Sequence, residues 1–233
     1  MKSNIVMGML LVISILGNII AYNYTFRAYD QFNDLRLDPL GSAYYVDPSF
    51  QQNHYRIVLI GDSNAYYWKS ADENVLNLGI SSQTSTQIRL RSKSYKGKIR
   101  GDKLIIIAGG NDIRSILTNY DRKEYIVSEC MKNIQSIVVN HSNDFTEIYI
   151  MTIPPVFKIP MRFRTLYRKE IDECILDLND KIRRLCKDME AVKLLDSFSI
   201  LNTRKAREKL TFDGIHLNER AYSYLEEIIG FSQ

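Results

Sequence analysis

The sequence predicts an α/β domain: a central parallel sheet of about five strands flanked by helices, preceded by one apolar N-terminal helix. Three observations carry this. Short apolar, β-branched runs recur along the chain, each closed by Gly, Pro or Asp. Stretches between them repeat apolar residues at helical spacing. The first segment is long, apolar and free of charge. Alternation of this kind places helices on both faces of a parallel sheet.

Composition sets the outer bounds. A chain of 233 residues fits one ordinary domain with a short appendage. At 45% hydrophobic and 25% charged, with five Pro and eleven Gly, it is neither disordered nor low-complexity. Three Cys exclude a disulfide-dense scaffold. A net charge of +4, with no finger, RRM-like or basic-zipper spacing, points away from nucleic acid.

Residues Ile5 to Tyr22 read IVMGMLLVISILGNIIAY. A membrane span needs roughly 20 helical residues, with about 17 as the lower limit. A retained anchor, a cleaved signal peptide and a buried core helix are the competing readings. Cleavage after Ala21 would put Ile19 at the third-last position, where a small residue is preferred, and the run exceeds the usual signal core. The anchor is therefore favoured over 1–22. Only Ser14 and Asn18 interrupt the run, which argues against a core helix. Lys2 precedes the span and Arg27 and Arg36 follow it, so charge orients it weakly. The expected sense is N-terminus inside and the remainder extracytoplasmic, or secreted if the segment is cleaved. Residues 23–54 carry Asp38-Pro39, Gly41 and Asp47-Pro48 and read as an irregular stalk. The domain follows over 55–233.

Strands are expected at Arg56–Ile60, Val75–Leu78, Lys103–Ala108, Ile148–Ile153 and Val192–Leu195. Helical stripes run through Ile126, Cys130, Ile134, Ile137 and His141, and through Ile171, Ile175, Leu178, Ile182, Leu185 and Met189. A last one contains Tyr222, Leu225 and Ile229. Cys174 and Cys186 share the second stripe, about 18 Å apart along a continuous helix. A disulfide needs Cα atoms within about 7 Å, so they cannot pair. Three buried free thiols are expected.

Four blocks carry chemistry. Gly61-Asp62-Ser63-Asn64 follows the first strand, and a Ser on a sharp strand-to-helix turn offers its hydroxyl and N–H at the sheet edge. Alone, it reads equally well as a helix N-cap. Asn77-Leu78-Gly79-Ile80-Ser81-Ser82 ends the second strand, where a Gly permits close approach to its N–H. Gly109-Gly110-Asn111-Asp112 ends the third, and the Asn111 amide can donate to an oxyanion. Each of these two is also an ordinary polar turn. Asp213-Gly214-Ile215-His216 precedes the last helix. There a His can accept a Ser proton, and a carboxylate three residues away can orient its ring. Of the three His, His141 sits in a helical stripe and His54 has no motif around it.

Together the blocks resemble the SGNH hydrolases, also called GDSL esterases and lipases, over roughly Ile57 to Ile229. The resemblance implies a flavodoxin-like three-layer sandwich and a serine esterase. It makes Ser63 the nucleophile, His216 the base and Asp213 its partner. The oxyanion donors it implies are the N–H groups of Ser63 and Gly79 and the Asn111 side chain. Two departures stand out. The first block reads GDSN, and many relatives carry Gly where this chain has Ser82. Asp112 is expected to brace its loop. No cofactor and no metal are implied, since there is neither HExxH nor a CxxC pair.

The expected substrate is a small-molecule or glycan ester, an O-acyl (O-acetyl) carbohydrate or cell-surface polysaccharide. Alternatives are a lysophospholipase or thioesterase, an acyltransferase, and a non-catalytic membrane-anchored assembly protein. Arg89, Arg91, Lys93, Lys96, Lys98, Arg100 and Lys103 form a basic run that could meet an anionic glycan or lipid headgroups. An ordinary solvated face is the simpler reading of it. A second cluster, Arg162, Arg164, Arg168 and Lys169, could frame the same entrance.

Overall fold

The computed structural model describes residues 2–40, 54–157, 169–204 and 208–231. The chain divides into two compact units, Met1–Asp47 and Pro48–Gln233. In the first, the described residues form one helix, α1, over Lys2–Leu37. Its apolar part matches the expected span, and the helix is long and apolar enough to cross a membrane, a test that a signal sequence also meets. Asn18 donates back to Ser14 O at 2.8 Å, which gives its amide a partner within the helix. The irregular backbone expected from residue 23 onward is helical as far as Leu37. No Pro interrupts Asn23–Leu37, and Asp38-Pro39 supplies the stop. The rest of the lead-in, 41–53, lies outside the described residues.

The second unit is an α/β sandwich with one five-stranded sheet in the order β2-β1-β3-β4-β5. The strands are β1 (His54–Gly61), β2 (Val75–Gly79), β3 (Arg100–Ile107), β4 (Phe145–Met151) and β5 (Val192–Leu195). Every neighbouring pair is parallel. All five expected strands are present, with ends shifted by a few residues. The helices are α2 (Ser63–Tyr66), α3 (Ser85–Ser92), α4 (Gly110–Ser115), α5 (Lys123–His141), α6 (Lys169–Asp188), α7 (Ser197–Asn202) and α8 (Glu219–Ile229).

Side chains alternate between two cores. On one face Val58, Ile60, Leu104 and Ile106 meet Ile88 of α3, Ile134 and Ile137 of α5, and Leu178 and Ile182 of α6. On the other Ile57, Leu59 and Ile105 meet Trp68, Leu201, Tyr222 and Leu225. Burying both faces explains why the strands read as unbroken apolar runs. Truncating one of these isoleucines to Ala costs about 2–5 kcal/mol. The α6 helix is continuous through Cys174 and Cys186, as the stripe requires. Cys130 and Cys174 are buried, but Cys186 is only partly so, because it lies near the helix's exposed C-terminal end.

The order places β1 and β3 side by side at the point where the chain's direction of winding reverses. In open parallel sheets this crevice beyond the carboxyl ends receives ligands. Gly61, Gly79 and Ile107 stand level there.

Candidate active site

Ser63 opens α2 directly after β1. Asp62 caps that helix: its Oδ1 accepts from Asn64 N at 2.9 Å. Burial, with the like charge of Asp112, pushes the Asp62 carboxyl up to about 7, against the pull of Arg114. Ser63 is 5% exposed, and its hydroxyl has no hydrogen-bond partner among the described residues. As the first helical residue, it also has an N–H without a helical acceptor.

Asn111 lies in the first turn of α4, after Gly109 takes φ 113°. A Cβ on Gly109 would stand 2.9 Å from Ile153 Cδ1, so both the backbone angle and the packing demand glycine. The Asn111 amide donates one hydrogen to Gln83 O at 2.9 Å, which leaves the other for a ligand. Asp112 braces the neighbouring helix as expected, accepting from Ser85 N at 2.8 Å and Ser85 Oγ at 2.7 Å. Burial raises its carboxyl despite these bonds.

His216 Nδ1 meets Asp213 Oδ2 at 2.7 Å. Asp213 Oδ1 also accepts from the amides of Ile215 at 2.9 Å and His216 at 2.8 Å. Partial burial would raise the Asp213 carboxyl, yet these three bonds outweigh it and hold the carboxyl below its ordinary range. The carboxylate thus fixes the ring with Nδ1 protonated. His216 Nε2 has no partner among the described residues. The loop is tied to the serine turn: Leu217 N donates to Asn64 Oδ1 at 3.4 Å, and Tyr222 OH to Asn64 O at 2.8 Å. Trp68, just beyond α2, stacks on Tyr222 at 5.0 Å and donates to Glu226 at 2.9 Å.

One cavity of about 150 Å³ joins these parts. Asp62, Ser63, Asn111, Arg114, Gly214 and Ile215 line it together with the apolar side chains of Ile113, Leu117, Ile153, Val156, Ile171 and Ile175; Asp213 and His216 are not in this lining. Ser63, Asn111 and the loop that carries His216 therefore converge, although Ser63 and His216 are not hydrogen-bonded to each other here. Such bonds are often loose without substrate.

Gly79 departs from expectation. Its N–H is donated to Asn77 Oδ1 at 2.8 Å, and it does not line the cavity. Glycine is needed there because a Cβ would stand 2.1 Å from Tyr66 N. Asn77 also donates to Ala65 O at 2.8 Å and Trp68 O at 2.9 Å, clamping the serine helix to β2. Ser82, three residues on, has φ 66°, alone in this respect among described non-glycine residues. Its N–H has no partner among the described residues, and the next residue's carbonyl holds Asn111. The signal for it was the glycine that many SGNH hydrolases carry at this position, the residue a positive φ favours.

The basic run does not frame the site. Arg91 is buried against Gln83 Oε1 and Tyr95 OH, Arg89 binds Asn133 Oδ1, and Lys103 reaches Ile229 O. None of the seven lines the cavity. Strand β3 begins at Arg100, so Lys98 and Arg100 sit at the opposite end of the sheet. Arg162, Arg164 and Arg168 lie outside the described residues.

In this three-layer α/β fold Ser63 and Asn111 line one cavity at the carboxyl edge, and the loop that carries the His216–Asp213 pair reaches it through Gly214 and Ile215. Residues 59–224 match the GDSL-like Lipase/Acylhydrolase family, and the chain belongs to that family, as the SGNH blocks implied. A GDSL-like lipase from Bacteroides thetaiotaomicron superposes with a TM-score of 0.61 at 20% identity, covering 82% of this chain and 92% of its own. An acetylxylan esterase from Geobacillus stearothermophilus gives 0.58 at 15% identity, over 75% and 92%. In sequence, the N-acylneuraminate cytidylyltransferase of Escherichia coli O18:K1:H7 is 29% identical over 192 residues, 74% of this chain. The chain spans only 39% of that relative's length.

Proposed function

We propose that the protein is a serine ester hydrolase working through an acyl-enzyme, with Ser63 as nucleophile, His216 as base and Asp213 as its orienting acid. The observation that carries this is the His216–Asp213 pair at 2.7 Å, its Nε2 unengaged and its loop sharing a cavity with an unengaged Ser63 hydroxyl. Ser63 Oγ attacks the ester carbonyl carbon and its proton passes to His216 Nε2. The oxyanion is held by the Ser63 N–H, the free hydrogen of the Asn111 amide and the Ser82 N–H, which replaces Gly79 in this role. Collapse breaks the bond to the alcohol oxygen, which takes the proton from His216. Water, deprotonated by His216, then releases the acid and restores Ser63.

The acyl group is small, an acetyl, and the alcohol a carbohydrate or cell-surface polysaccharide. A cavity of about 150 Å³ suits a group no larger than benzene. Support for the sugar comes from the acetylxylan esterase of like fold and from a relative whose name concerns N-acylneuraminate. With α1 as a single-pass anchor, the domain works on the extracytoplasmic side. The apolar lining favours a second reading, a lysophospholipase or thioesterase. Acyl-chain preference separates the two. Full-length protein in detergent is expected to hydrolyse p-nitrophenyl acetate at least about tenfold faster, in kcat/KM, than the octanoate. A preference for octanoate overturns the sugar-ester reading.

A further inference from the structure

We infer that the aromatic surface beside His216, built from Tyr67 and Phe212, is the subsite for the alcohol half of the ester, and that it holds a sugar ring. The inference rests on the ester-hydrolase reading and deepens it.

The chemistry assigns the two halves of the substrate to two sides. The group that protonates the departing alkoxide is the histidine, so the alcohol leaves on the imidazole's side of the scissile bond. The acyl half is left with the cavity of Ser63 and Asn111. On the imidazole's side stand two aromatic rings, Tyr67, which packs against the second core, and Phe212, which belongs to neither core. The Phe212 ring lies nearly parallel to His216, at 16° and 5.4 Å between centroids. Tyr67 meets His216 at 5.0 Å and Phe212 edge-on at 5.1 Å. Phe212 is nevertheless 49% exposed.

The surface is fixed. Phe212 N donates to His216 O at 3.2 Å, and Thr211 bridges to Leu217, so the backbone closes around Asp213–His216. A groove of about 830 Å³ opens beside the rings, far roomier than the acyl cavity. Lys69, Asn218, Glu219, Arg220 and Glu226 are among the residues that line it. Aromatic area beside mixed donors and acceptors fits a sugar, which offers C–H groups on its face and hydroxyls at its edge. A sugar's hydroxyls can exchange hydrogen bonds with such a lining, and an acyl tail cannot.

The test compares two acetate esters on the full-length protein in detergent: glucose pentaacetate, whose alcohol is a sugar, and ethyl acetate, whose alcohol has no ring. The readout is the ratio of their kcat/KM values. Phe212→Ala is expected to lower this ratio about 3- to 10-fold, the worth of one aromatic stack, and Phe212→Tyr to restore it. A ratio unchanged in Phe212→Ala overturns the inference, whether both rates fall through a displaced His216 or neither does. An equal fall for monooctanoylglycerol against ethyl acetate also overturns it, because the surface would then serve lipid. Wild type inactive on both acetates removes the hydrolase reading itself, and this subsite with it.

Discussion

Two histidines in this fold each pair with an aspartate three residues away, and the two pairs differ in what the second ring nitrogen does. His141, at the end of α5, meets Asp144 at 3.1 Å and is 2% exposed. Its other nitrogen bonds Ser92 O at 3.2 Å, so both ring positions are committed to structure. His216 makes the shorter contact with its aspartate, and its Nε2 is unengaged. A carboxylate beside a histidine therefore does not mark a base. The distinguishing feature is a second ring nitrogen without a partner among the described residues, on a loop whose Gly214 and Ile215 share a cavity with Ser63.

The sharpest break between the pairs comes from removing each carboxylate's charge. Asp213→Asn is expected to lower kcat on p-nitrophenyl acetate by about 10²–10⁴, because the ring loses its tautomer and orientation. Asp144→Asn should leave kcat within about threefold while lowering stability by about 1–3 kcal/mol, read by thermal unfolding. Equal kinetic losses in the two variants would erase the distinction. Next in size, Asn111→Ala should cost about 10²–10³ in kcat, as expected for one oxyanion donor. A KM change alone would demote Asn111 to holding Gln83.

The smallest effect is on stability against pH. Burial holds His141 below its ordinary pKa despite Asp144. A depressed base contributes stability above its ordinary value, about 6.5, that is lost as pH falls through the folded-state value. Asp62 runs the other way. Its carboxyl, pushed up to about 7 by burial, gives stability that is full below its ordinary 3.8 and lost as pH rises through about 7. Melting temperatures from pH 4.5 to 8 should show His141→Gln flattening the acid limb and Asp62→Asn the neutral limb. Unchanged limbs would contradict these placements.

The sheet was legible because strands buried on both faces must be apolar throughout, and β1 and β3 are. The placement of Ser63 and Asn111 at strand ends, and of His216 just before α8, was legible from the glycines and apolar runs that flank them. Gly79 was misassigned for a physical reason: close backbone approach and an available N–H call for the same residue. Only the hydrogen bond that the Gly79 N–H donates to Asn77 Oδ1 and the positive φ of Ser82 tell the two apart. The helical run past residue 23 was missed because its residues are polar and aromatic without a core-facing stripe. The basic run read most simply as a solvated face, and spacing along the chain did not show that Arg91 turns inward. Tyr67 and Phe212 carry no motif, and they meet each other across 145 positions of sequence.

The central claim is that Ser63 is an activated nucleophile. Full-length protein in detergent, treated with a fluorophosphonate probe and analysed by intact mass and peptide mapping, tests this directly. The account predicts one adduct per chain, on Ser63, absent in Ser63→Ala, with esterase activity lost in step with labelling. A folded protein that takes no label and cleaves no ester, or an adduct that persists in Ser63→Ala, would contradict it. The first of these results would leave a family member that keeps the fold for binding.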